Sequence, residues 1–379
     1  MNTPPIYLDY NATTPILPEV VDAMLPFLRE QFGNPSSTHS YGARARSAVE
    51  TARNQVAELL GCDADEVVFT SGGTEANNLA IRGVLEDSEP GASIVTSTIE
   101  HPAVARPCAW LERHDHPVRR VGVDESGRLD LAAAIRAIDE ATVLVTVMHS
   151  NNETGVLQPI RELSEYARRR GTLLHTDAAQ SVGKVPVRVS ELGVDLLSVA
   201  GHKLYAPKGV GALYVRGGIR LSPFMLGAGH ERGLRPGTEN VASLVGLGEA
   251  CARAHQDLES IADRTMRLRD LLWERLVAGV PGLQLNGHAR LRLPNTLNVR
   301  FPHASGNAVL RGAPEVMAST GSACHGTHEQ PSDVVLAMGV APDAAMGSVR
   351  LTLGRQTTEN EIERAASALI RSWQELQGA

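Results

Sequence analysis

Cysteine is scarce in this chain. There are four in 379 residues, Cys62, Cys108, Cys251 and Cys324, far apart and with no Cys-x-x-Cys pair. That spacing indicates neither a disulfide framework nor a zinc knuckle. No apolar run approaches the length of a membrane span. The N-terminal stretch Met1 to Asp9 lacks a basic region followed by an apolar core. These absences lead us to expect a cytoplasmic protein with no membrane partner. The net charge is -7 and no basic block dominates, which argues against direct binding of nucleic acid. No internal repeat or low-complexity tract is visible. Two common phosphate-binding patterns are also incomplete. No Gly-Lys-Ser/Thr follows Ser71-Gly72-Gly73-Thr74, so it is not a Walker loop, and the third glycine of a dinucleotide fingerprint is missing.

What remains is an ordinary globular composition, 42% hydrophobic and 21% charged, long enough for a sizeable core and two domains. Apolar helical periodicity runs from Pro18 to Glu30 and from Ala43 to Leu60, with Gly61 placed as a C-cap. Strand-like stretches then alternate with helical ones: Val67 to Thr70, Ser93 to Ser97, Thr142 to Met148, Thr172 to His175, Leu196 to Ala200, and a further strand in Gly209 to Val215. Near-continuous apolar strands separated by helix-length segments predict an α/β fold with a mainly parallel sheet covered on both faces. From about Val241 the character changes to a long helical stretch through Ala250 to Val277, strands at Asn295 to Phe301 and Ser348 to Leu353, and a terminal helix opening on a Thr358 to Glu361 capping box. We expect a large domain over residues 16–249. A smaller α+β domain would combine residues 1–15 with 250–379.

Ligands of such sheets sit beyond the carboxyl ends of the strands. Two runs there carry chemistry: His175-Thr176-Asp177-Ala178-Ala179-Gln180 and Gly201-His202-Lys203. An acid and a lysine at neighbouring strand ends suit pyridoxal 5'-phosphate. The lysine can form a Schiff base with its aldehyde, and the carboxylate keeps the pyridine nitrogen protonated so that the ring accepts electrons from a substrate carbanion. Taken singly, Asp177 reads equally as a helix cap and Lys203 as a solvated lysine. Between a strand and an apolar helix, Gly72, Gly73 and Thr74 can offer backbone N–H groups and a hydroxyl to a phosphate. His101, also after a strand, can stack on a ring and move protons near neutral pH, or be a surface histidine. Asn151 and Asn152 can orient a carboxylate or simply make a turn. Gln180, a helical turn past Asp177, can reach the ring hydroxyl.

The chain resembles the cysteine desulfurases of the class V aminotransferase fold nearly end to end. The resemblance is carried by Leu8 to Pro15, Gly33 to Ser37, Phe69 to Asn78, Glu100-His101, Asn151 to Gly155, His175 to Gln180, Gly201 to Lys203, Arg235 to Asn240, Gly321 to Cys324 and Val349 to Arg355. It implies a fold type I enzyme in which Lys203 carries the cofactor, Asp177 partners the pyridine nitrogen, Gln180 meets the ring hydroxyl and His101 stacks on the ring. Gly73, Thr74 and His202 would hold the phosphate, with Thr238 reaching it from the second subunit of a homodimer. Asn152 and Arg350 would hold the substrate carboxylate, a task that suits a bidentate guanidinium. One departure stands out: many relatives have serine as a phosphate ligand just before Gly-His-Lys, and here that position is Ala200. Ser198 lies on the same side of the strand two residues earlier.

Cys324 lies in the glycine-rich, polar segment 319–333, read as an exposed loop on the small domain. His325 and His328 flank it, and a nearby imidazolium favours a thiolate nucleophile. A Cys-His-x-x-His metal site would need ligands that the sequence does not offer nearby, so no metal is expected. The implied reaction converts L-cysteine to L-alanine and leaves the sulfur on Cys324 as a persulfide, for transfer to an unidentified acceptor protein. A narrower resemblance, including Ala323-Cys324-His325 with His328, Gln330 and Pro331 and the absence of the serine, is to selenocysteine lyases, which act on L-selenocysteine. A third reading is a non-catalytic scaffold for a sulfur carrier.

Overall fold

The computed structural model describes residues 4–86, 88–321 and 330–378. Cys324, His325 and His328 therefore lie outside the described residues.

A seven-stranded sheet forms the centre of the molecule, in the order Val67–Thr70, Gly211–Val215, Leu196–Ala200, Leu173–Asp177, Thr142–Thr146, Ser93–Ser97 and Val118–Val121. Only Gly211–Val215 runs against its neighbours; the other pairs are parallel. Six strands thus end at one edge. Several strands are buried along their whole length. Alternate residues feed two apolar layers. Phe69, Val95, Val145, Leu174 and Val199 face one, with helix Ser40–Leu60. Val68, Ile94, Leu144, Leu196 and Leu213 face the other, with helices Gly73–Leu85 and Pro102–Glu112. The period-2 side-chain alternation of a strand explains why such strands are apolar throughout.

The expected elements are largely present, and Gly61 does close its helix in the left-handed region at φ 68°. The reading of the sequence missed Val118–Val121, an edge strand whose two arginines broke its apolar pattern. The long helix also begins earlier than the Ala250 expected, running from Val241 to Gly279 with Asn240 as its side-chain cap.

A second apolar cluster gathers Leu272, Leu276, Leu297, Val299, Val349, Leu351 and the terminal helix residues Ile362 and Leu369, together with Ile6 and Leu8 from the N-terminal segment. The long helix serves both clusters, since its Ala250, Cys251 and Ala254 pack into the first. Thr358 and Glu361 form the expected capping box. No helix among the described residues is long and apolar enough to cross a membrane.

Candidate active site

The connections after these strands converge on a cavity of about 520 Å³ at the sheet edge. Its lining includes Gly73, Thr74, His101, Asn152, Asp177, Gln180, His202, Lys203 and Arg350, every expected site residue except Thr238 and Cys324. Thr238 is exposed and outside it.

Asp177 is the last residue of its strand rather than the first of the loop. Its Oδ2 accepts from Asn77 Nδ2 at 2.7 Å and its Oδ1 from the backbone N–H of Ala179 at 2.9 Å. Lys203 closes a single 3-10 turn, Gly201–Lys203, directly after the neighbouring strand. Its ammonium donates to the carbonyl oxygens of Asn11 and Ala12, the latter at 2.8 Å. Burial and then the Arg350 charge push this amine down from 10.5 to about 8, against the pull of Asp9 and Asp177.

His101 caps the helix Pro102–Glu112, its Nδ1 accepting from the N–H of Ala103 at 3.1 Å. With Nδ1 used as an acceptor, the ring proton resides on Nε2. Desolvation lowers this histidine below its ordinary value, Asp177 opposing and Lys203 adding. Its neighbour Glu100 is a half-buried acid pushed up to about 8 by desolvation. Glu100 accepts from the Ser97 hydroxyl and from the N–H of Met148, tying two strand ends together beneath His101. His202 is held down to about 4, chiefly by burial and then by Lys203, so it is neutral at pH 7.

The helix Gly73–Leu85 opens on this cavity, and Gly72, at φ 147°, leaves its first N–H groups without a side-chain cap. A Cβ on Gly73 would stand 3.2 Å from the Ala200 methyl, so the cradle is narrow. Ser198 does not take the place of the missing serine. Its hydroxyl is bonded to His175 Nε2 at 3.0 Å, fully buried beneath the sheet edge. On the opposite wall Arg350 Nη2 meets Asp9 Oδ1 at 2.7 Å and Nη1 donates to the carbonyl of Asn152, while its Nε is buried without a partner among the described residues. Asn77 Oδ1 is likewise buried and unpaired. An uncapped helix terminus, a strand-end acid and lysine, and two orphaned polar atoms fit pyridoxal phosphate with an amino-acid carboxylate.

Asp9, Asn11, Asn77, Glu100 and Lys184 were not singled out from the sequence. The first four fall inside runs that carried the family resemblance. Lys184 gave no local signal and is revealed only by its contacts. The other cysteines are unsuited to nucleophilic work: desolvation pushes the thiols of Cys62, Cys108 and Cys251 up to about 12. No group of three or more metal-binding side chains occurs among the described residues.

This site on this sheet defines a pyridoxal-phosphate enzyme of fold type I. The aminotransferase class-V family model matches residues 6–365. Among curated proteins, the cysteine desulfurase IscS of Dictyoglomus turgidum is 44% identical over 97% of this chain and 94% of its own length. That of Pectobacterium carotovorum is 46% identical over 97% and 92%. Among solved structures, a NifS-like protein superposes with a TM-score of 0.91 at 34% identity, covering 99% of this chain and all of that one. SspA in complex with cysteine superposes with a TM-score of 0.83 at 35% identity, over 92% and 98%. The chain belongs to the class V aminotransferase family, in its cysteine desulfurase branch.

Proposed function

We propose that this protein is a pyridoxal-phosphate-dependent cysteine desulfurase that converts L-cysteine to L-alanine and passes the sulfur through Cys324 to an acceptor. The observation that carries this is the convergence of Asp177, Lys203 and Arg350 on one cavity. The bound cofactor supplies an electron sink that makes the α-proton of an amino acid acidic. Lys203 provides the amine that holds the cofactor aldehyde and, once released by substrate, the base that takes that proton. A lysine titrating near 8 can do both at neutral pH. Asp177, held by Asn77 and Ala179, keeps a proton on the pyridine nitrogen. His101 would stack on the ring with Nε2 free to donate, and Gln180 would hold the ring hydroxyl. The Gly73–Thr74 helix terminus and His202 would hold the phosphate, and Thr238 of a second copy would complete its site. Arg350 and Asn152 hold the substrate carboxylate. The Cys324 thiolate attacks the substrate sulfur, an S–S bond forms as the Cβ–S bond breaks, and Cβ keeps the electron pair and takes a proton to become the methyl group of alanine.

The two apolar clusters are read as the two domains, 16–249 and 1–15 with 250–379, joined by the long helix. The exposed side chains of Leu28, Phe32, Tyr41 and Leu226, at 62%, 77%, 46% and 90%, support a homodimer that covers them. Chemistry that needs a free thiol suits the reducing cytoplasm. The deciding experiment measures products from L-cysteine and from L-selenocysteine with the wild type and Cys324→Ala. The variant is expected to bind cysteine and lose alanine formation from it. Unchanged desulfuration by Cys324→Ala removes the nucleophile assignment. Turnover confined to selenocysteine establishes the selenocysteine lyase reading instead.

A further inference from the structure

A lysine that the reaction does not use sits directly behind the cavity wall. Lys184 follows Gln180 by four residues, carried round by one turn in which the N–H of Lys184 donates to Ser181 and that of Val182 to Ala178. Gly183, at φ 76°, packs so tightly on Leu204 that a Cβ there would come within 2.3 Å of its Cδ1. Only glycine allows this bend, which returns the lysine toward Gln180.

The Lys184 Nζ donates to Gln180 Oε1 at 2.9 Å and to Asn11 Oδ1 at 3.0 Å. Gln180 Nε2 donates to the carbonyl of Asn11 at 2.9 Å. That same carbonyl receives Lys203. Asn11 is fixed from the far side as well, by Asn295 Nδ2 at 3.1 Å and by its own donation to Thr296. The charged groups around the junction are Lys203, Arg350, Asp9 and Asp177. Among the described residues no carboxylate accepts from Lys184, and burial, with Lys203 and then Arg350 beside it, pushes its amine well below the ordinary lysine value.

The consequence concerns which end of the Gln180 amide faces the cavity. Turned over, the amide would set its oxygen against the Asn11 carbonyl oxygen and its NH2 against the N–H donors of Lys184, losing both bonds and opposing two oxygens. We propose that Lys184 is a positioning residue that locks the Gln180 amide with its second N–H directed at the cofactor ring oxygen. This rests on the assignment of Gln180 to the ring hydroxyl. An N–H aimed at an oxygen lowers that oxygen's proton affinity, and a freely turning amide loses this effect.

The test is a pH titration of the visible absorption band of the holoenzyme, for wild type, Lys184→Met, Gln180→Ala and the double variant. Lys184→Met is expected to raise the midpoint by about half a pH unit or more, roughly a threefold change in proton affinity. Gln180→Ala is expected to raise it too, and adding Lys184→Met to Gln180→Ala to move it no further. Lys184→Arg, which keeps a donor, is expected to return the midpoint toward the wild-type value. An unmoved midpoint in Lys184→Met, or the same displacement in the Gln180→Ala background, overturns the inference. An unmoved midpoint in Gln180→Ala overturns the assignment of Gln180 itself. Should Lys184→Met fail to fold, Lys184→Gln, whose shorter side chain does not span the gap, takes its place in the cycle and is read the same way.

Discussion

Lys203 gives the most direct quantitative test of the site. Burial and the Arg350 charge lower its amine from 10.5 to about 8 in the cofactor-free chain. At pH 7 about one molecule in ten then carries the unprotonated amine, against about one in 3,000 for an ordinary lysine, a gain of about 300-fold in nucleophile. The rate at which the cofactor-free protein captures pyridoxal phosphate should follow this fraction, rising about tenfold per pH unit up to pH 8 and levelling above it. Stopped-flow absorbance between pH 6 and 10 measures this, and a rate that keeps climbing tenfold per unit through pH 9 to 10 refutes the reasoning. The same depression has a stability cost of known sign. Between 8 and 10.5 the folded chain binds fewer protons than the unfolded one, so stability rises with pH across that window. Below pH 8 the buried amine costs up to about 3 kcal/mol. Cofactor-free Lys203→Met should accordingly resist urea better than wild type at pH 7, with the advantage shrinking toward pH 10, while failing to capture the cofactor at any pH.

Two further outcomes follow from ion pairs of opposite character. Arg53 holds Glu231 by two bonds of 2.8 Å, both side chains buried, and Glu231 also accepts the N–H of Phe69. Arg53→Met strands that carboxylate and should cost about 3–5 kcal/mol by urea denaturation, and Arg53→Met with Glu231→Gln should cost less than the single change. A double variant as unstable as the sum of the singles refutes this account. Asp9 occupies the Arg350 guanidinium that, in the proposed function, receives the substrate carboxylate. Asp9→Asn should therefore lower KM for L-cysteine about three- to tenfold, on the order of 1 kcal/mol, and an unchanged or raised KM in steady-state kinetics argues against competition at Arg350.

The fold was legible wherever a strand is buried on both faces, because an apolar run bounded by turns needs no partner to be seen. Val118–Val121 escaped because it lies at the sheet edge, where Arg119 and Arg120 reach polar partners. The chemistry of the site was legible where a strand ends in an unusual residue, as at Asp177, or where a short motif follows one, as at Lys203 and His101. The supporting residues were not. Glu100 stood out only as part of a motif with His101, yet it accepts from Ser97 and Met148 at two strand ends. Asn11 lies 169 residues from Gln180 and 192 from Lys203, and no local pattern joins them.

The sequence by itself determined the parallel sheet, the edge at which ligand chemistry collects, and the Asp177–Lys203 pair that names the cofactor, because each depends on residues close together along the chain. Only the tertiary structure decided how that pair is tuned. It brought the N-terminal segment across the sheet edge so that two backbone carbonyls receive Lys203, and it set Arg350 close enough to depress the amine. It also turned Lys184 back onto Gln180. Hydrogen bonds and charge interactions act over a few ångströms, so residues that condition one another's protons are identified only once folding has made them neighbours.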